Sequence, residues 1–233
     1  MKHNIRVLGL SFLAVCLLGA VAAASASASQ PKFVLESGTT ATFSGAGAGG
    51  TLETVGKNTV TCTGASSKGT IASETTVTGV VVKFTGCTAS FGAKCTTGKE
   101  AAGTIVTNPV GGALHYVKAG SSETAVLLKP ESGTVFATFV CAGVSTVTVQ
   151  GSVDGILTPV NGAFSKTATL TFTQASGVQS PLSVLSASCV AEKDTLETKA
   201  SGFPSFPLEQ SAIKGSETLT TSVGVKVSAT SCV

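Results

Sequence analysis

The chain has 233 residues, of which 42% are hydrophobic and only 12% charged, with a formal net charge of +3. It is too apolar and too weakly charged to be disordered, and it has no basic face of the kind nucleic-acid binding requires, so nucleic acid is not an expected partner. Beyond residue 28 there is no Arg, Met or Trp, one His and one Tyr, which excludes Arg clamps for phosphate or carboxylate, multi-His metal centres and stacking platforms for sugars or bases.

At the amino end, Lys2 and Arg6 precede the uncharged run 7–23, and residues 24–29 alternate Ala and Ser in overlapping A-x-A cleavage sites. This is the pattern of an export signal, so residues 1–28 are expected to be a signal peptide and residues 29–233 a single all-β extracellular domain. The apolar run is short for a membrane span, which needs about 20 residues, and no later stretch is long enough to cross. Cys16 follows Val15 where a lipidation site wants a small residue, and it is read as part of the discarded segment.

From there the dominant period is two. Val60 shares a face with Cys62, while Thr59, Thr61 and Thr63 face away. In 146–153 Val147, Val149 and Val153 oppose Thr148, Gln150 and Ser152. In 167–173 Ala168, Leu170 and Phe172 alternate with threonines, and Val223, Val225, Val227 and Ala229 alternate with polar or small residues. Such alternation specifies strands with one buried and one wetted face, as antiparallel sheets allow. Segments 80–82, 125–128 and 135–141 are apolar on both faces and are expected to be covered on both sides. Turn signals separate them, and Asn161-Gly162, between 156–160 and 163–172, is the clearest hairpin. A short helical turn is admitted near 192–196 or 206–210. The expected fold is an all-β antiparallel sandwich or barrel of many short strands. A faint echo between 36–43 and 131–139 leaves a weak internal duplication as a minor alternative.

Six cysteines remain after the signal, an even number that reads as three disulfides in an exported chain. Cys87 and Cys95 flank a short Gly-containing connection and are expected to pair. Cys189 is expected to join Cys232, the penultimate residue, and pin the carboxyl end. That leaves Cys62 with Cys141. No two are spaced C-x-x-C, so a metal site is not expected.

Among candidate sites, His115 and Tyr116 are adjacent and on a strand point to opposite faces, so they do not serve one pocket together. The expectation is one exposed and one packed ring, with no carboxylate to orient the histidine and no G-x-S-x-G elbow to supply a nucleophile. Ten Glu and two Asp could supply a glycosidase pair, but most lie in turn-like contexts. Phe203, Pro204, Phe206 and Pro207 form the most distinctive short segment: two prolines favour a stiff extended loop carrying two rings. It is read first as a plug over a sheet edge and second as an apolar contact for a ligand or partner.

Three phrases occur together: Val80-Val81-Val82-Lys83-Phe84-Thr85-Gly86-Cys87, Gly103-Thr104-Ile105-Val106-Thr107-Asn108-Pro109, and Leu128-Lys129-Pro130 leading to Phe139-Val140-Cys141. In these the chain resembles a group of uncharacterised secreted proteins of high-GC Gram-positive soil bacteria, over most of residues 30–230. The resemblance implies a secreted β-rich protein and carries no catalytic signature to transfer. In that group Cys189 and Cys232 are not general features, which implies an added pair.

The expected role is that of a secreted non-enzymatic protein, structural or bound to a cell-envelope component or another protein, free or wall-associated, without cofactor or metal. The alternative is a carrier of a small apolar ligand inside a barrel or sandwich, and a hydrolase acting through Glu is third. An interior pocket lined by Val, Leu and Phe separates the carrier from a packed core.

Overall fold

Period-two alternation becomes strand along almost the whole chain. The structure is a computed structural model that describes residues 30–232, so the expected signal peptide, residues 1–28, lies outside the described residues. In chain order these form β1 (Lys32–Leu35), β2 (Ala41–Thr54), β3 (Thr59–Cys62), β4 (Gly64–Ile71), β5 (Thr76–Thr85), β6 (Thr88–Ala89) and β7 (Cys95–Thr96). They continue through β8 (Ile105–Val106), β9 (Val110–Tyr116), β10 (Thr124–Pro130), β11 (Val135–Cys141), β12 (Ser145–Gln150) and β13 (Val153–Thr158). The rest are β14 (Ser165–Ala175), β15 (Val178–Ser180), β16 (Ser183–Leu185), β17 (Ala191–Lys193), β18 (Glu197–Gly202) and β19 (Phe206–Ser228).

Eight strands close on themselves. Around the ring β2, β4, β5, β9, β10, β13, β14 and β19 pair in that order, β19 returns to β2, and every pairing is antiparallel. The choice between sandwich and barrel therefore resolves to a closed eight-stranded barrel with extra strands. Closure leaves no free edge among the eight, which removes a template for aggregation. The 23-residue β19 extends beyond the barrel at its start, where it pairs with β18 in a smaller sheet of β7, β11, β12 and β18.

The alternation places side chains as the pattern demands. Ala168, Leu170 and Phe172 from β14, Val126 and Leu128 from β10, and Val225 and Val227 from β19 all turn to the barrel interior. Ala125 and Leu127, the other face of β10, are buried too, because β16 crosses outside and packs Val184 on them. That is the second cover which the two-faced apolar run 125–128 called for.

Local departures have identifiable causes. Segment 146–153 is two strands, not one, because Gly151 turns the chain at φ 103° between β12 and β13. A side chain there would also strike the Thr195 carbonyl. Segments 192–196 and 206–210 hold no helical turn: β17 runs into the first and β19 begins the second. Strands β13 and β14 form the expected hairpin, but its loop reaches further than Asn161-Gly162. Asn161, at φ 57°, clamps the end of β19 by accepting from the Ala229 N–H at 2.9 Å and donating to its carbonyl at 2.7 Å.

Three disulfides form, and two pairings differ from expectation. Cys62 bonds Cys87, Cys95 bonds Cys141, and Cys189 bonds Cys232 as expected. Cys87 and Cys95 are close in backbone, the Cys95 N–H donating to the Cys87 carbonyl at 3.0 Å, yet they do not bond each other. Strand register decides the matter. Cys95 and Cys141 are direct partners in the β7–β11 ladder, and Cys62 and Cys87 lie just beyond the end of the β4–β5 ladder, where Gly64 faces Thr85. Three crosslinks of this kind persist in an oxidising, extracellular-type environment. No helix among the described residues is long and apolar enough to cross a membrane.

Candidate functional site

The barrel is not filled by its own side chains. An interior cavity of about 200 Å³ is lined by valine, leucine, isoleucine and phenylalanine from all eight barrel strands, joined by Phe136 and Phe139 from β11. Eight strands give an interior that side chains can just fill, or that can hold one small ligand. Here the balance tips toward space because several inward positions are small: Ala65, Ser67, Ala168 and Gly215. Gly49 and Gly50, at the end of the run Gly45-Ala46-Gly47-Ala48-Gly49-Gly50 in β2, line the same opening. A Cβ on Gly45 would collide with Ser67 Oγ and come within 2.6 Å of Glu217 Oε2.

That glycine makes room for the cavity's one acid. Among the described residues lining the cavity, Glu217 is the only carboxyl and Lys226 the only base. Glu217 is 8% exposed, and Ser67 Oγ donates to its Oε2 at 2.6 Å, while Oε1 is buried with no hydrogen-bond partner. Burial pushes the Glu217 carboxyl upward, against the Ser67 bond, which lowers it. Sequence reasoning singled out neither residue. The readable signal was Gly45 to Gly50, a strand segment without inward side chains.

A second polar cluster lies outside the barrel wall, beneath β16 and β17. His115 is 5% exposed; its Nδ1 lies 3.0 Å from the Ala113 carbonyl and its Nε2 lies 3.2 Å from Glu192 Oε1. Glu192 Oε2 in turn meets Lys129 Nζ at 3.2 Å. Burial pushes Glu192 up, but its bonds to His115 and Lys129 outweigh this and hold it below its ordinary value. The expectation of one exposed ring is therefore corrected: β17 covers His115, and Tyr116 is fully buried with its hydroxyl 3.3 Å from Thr230 Oγ1. The histidine does have an orienting carboxylate, supplied from 77 residues further along the chain. In the same layer, Asp154 is completely buried with both carboxylate oxygens unpartnered. Asp194 accepts from the backbone N–H groups of Asp154 at 3.2 Å and Leu196 at 2.8 Å. No cluster of three or more His, Cys, Asp or Glu side chains suited to a metal occurs among the described residues.

The Phe203–Pro207 segment divides. Phe206 opens β19 and packs on the core, and the Pro204 carbonyl accepts from Ser145 Oγ at 2.7 Å. Phe203 points away, 82% exposed, with its backbone N–H on the carbonyl of Val144, itself 58% exposed. Phe206 thus packs on the core, while Phe203, Pro204 and Pro207 are exposed.

Comparison of the chain with protein-family models, with curated proteins and with solved structures found no match in any of the three.

Proposed function

We propose that this protein is a secreted, non-enzymatic carrier that holds one small apolar molecule inside its barrel. The observation that carries this reading is the interior cavity of about 200 Å³ walled chiefly by Val, Leu, Ile and Phe. Pockets with apolar walls and few convergent polar groups are the usual form of small-molecule sites. An apolar cavity of about 150 Å³ stays dry and binds benzene, so this one takes a slightly larger hydrocarbon. Export by residues 1–28 belongs to the same proposal, in keeping with three disulfides.

The direct test equilibrates the oxidised protein with n-hexane and follows side-chain methyl resonances by NMR. At about 0.8 kcal/mol net for each of six buried carbons, roughly 5 kcal/mol in all, a dissociation constant on the order of 0.1–1 mM is expected. Concentration-dependent shifts at Val126, Leu128 and Leu170 support the carrier; their absence up to hexane saturation overturns it.

A structural or envelope-binding role is the second reading, favoured by the adjoining exposed Phe203 and Val144. Phe203→Ser distinguishes the two. If the variant loses retention on cell-wall material while hexane still binds, the exposed surface has a role of its own.

A further inference from the structure

The carrier reading leaves one feature of the cavity unexplained. A purely hydrocarbon ligand needs no carboxyl, and burying one costs free energy unless each oxygen is bonded. Glu217 is nonetheless inside, 8% exposed, with Oε2 held by Ser67 and Oε1 unpartnered. Its place is built rather than incidental. Gly45 on the neighbouring strand leaves the space that the Ser67 hydroxyl and the carboxyl occupy, and any larger residue there would displace both. None of the ion pairs among the described residues involves Glu217.

We propose that the Ser67–Glu217 pair is the polar anchor of the cavity and that its ligand is a small alcohol, a hydrocarbon of about six to eight carbons whose hydroxyl bonds Glu217 Oε1. This rests on the carrier reading and narrows it. The chemistry of the free oxygen selects the class. A hydroxyl both donates and accepts, so it satisfies Oε1 whether the carboxyl is protonated or ionised. A ketone can only accept and requires the protonated form. An ammonium requires the ionised form and the desolvation of a second charge. A carboxylate is repelled by the ionised form, and Lys226, the one base lining the cavity, makes no ion pair with Glu217 that would seat it beside the anchor.

Four probes of equal length separate these cases: 1-hexanol, n-hexane, hexanoate and hexylammonium, each titrated into the oxidised protein and into Glu217→Leu and Glu217→Gln. For wild type, hexanol and hexane both bind and hexanoate does not. In Glu217→Leu the hexanol affinity falls about tenfold while that for hexane stays within about twofold, since a hydrogen bond to a charged or buried partner is lost from one probe only. Glu217→Gln, which keeps a donor and an acceptor in place, retains hexanol within about threefold. If Glu217→Leu does not fold, Ser67→Ala serves in its place: without the hydroxyl that holds the carboxyl in position, the hexanol affinity falls about threefold and that of hexane is unchanged. Parallel changes for hexanol and hexane overturn the anchor while leaving the carrier intact. A larger loss for hexylammonium than for hexanol overturns the alcohol. Failure of every probe to bind wild type overturns the carrier reading itself.

Discussion

A carboxyl that is fully buried and unbonded reports on stability through pH. Asp154 is pushed up to about 8, first by burial and second by the nearby charge of Asp194. Asp194 is pushed up to about 6 by burial, against the bonds from the Leu196 and Asp154 backbone. Both folded values exceed the unfolded value near 4, so the folded state holds these protons more tightly. The stability they contribute is complete below about pH 4 and is lost as pH rises toward about 8. Asp154→Asn removes the ionisation while keeping the shape. Thermal melting should therefore show little change at pH 4 and a gain on the order of a few kcal/mol at pH 9. An equal shift at both pH values would mean that Asp154 is not buried as described. Nothing in the sequence around Asp154 separated it from a solvated acid. It lies on a strand, where neighbours alternate, and only the covering pair β16–β17 decides that its face is dry.

At the scale of strands, the alternation of Ala168, Leu170 and Phe172 was legible because period two follows from the backbone alone. Disulfide pairing was not, because it depends on which strands meet. Cys95 and Cys141 are 46 residues apart and become neighbours only through the β7–β11 register. Non-reducing peptide mapping is expected to recover Cys62–Cys87, Cys95–Cys141 and Cys189–Cys232; a Cys87–Cys95 peptide would contradict the register. The last bridge has its own consequence. It closes a 43-residue separation and joins the C-terminal residues to the segment between β16 and β17. Loop-closure entropy puts an upper bound of about 4 kcal/mol on its contribution. Replacing both Cys189 and Cys232 by Ser should lower the denaturation midpoint accordingly. It should also speed amide exchange first in β16 and β17, whose ladder is only three residue pairs long. Loss of protection in β19 before β16 would show that the bridge supports the barrel and not its outer cover.

The whole molecule sets the size of the cavity, because closing eight strands fixes a circumference that the inward side chains must then fill. Large residues at every inward position would make a solid core. The chain instead places Ala168 beside Leu170 on β14, opposite Leu219 of β19, and glycines at 49 and 50 on β2. Composition alone showed glycine in abundance and could not assign it to an inner face, since which strands close the ring is a property of the full topology. Ala168→Phe tests this geometry as a unit. A ring projecting from β14 into the empty volume adds apolar contacts without moving the strands. Cavity filling commonly contributes about 0.5–2 kcal/mol, which for a domain of this size raises the melting temperature by roughly 2–4 °C per kcal/mol. The same ring occupies the ligand's space, so n-hexane and 1-hexanol should lose at least about tenfold in affinity together. Here, unlike at Glu217, the two probes must change in parallel, because the substitution removes volume and not a hydrogen bond. A variant that melts lower than wild type and still binds both probes would place the binding volume elsewhere in the molecule.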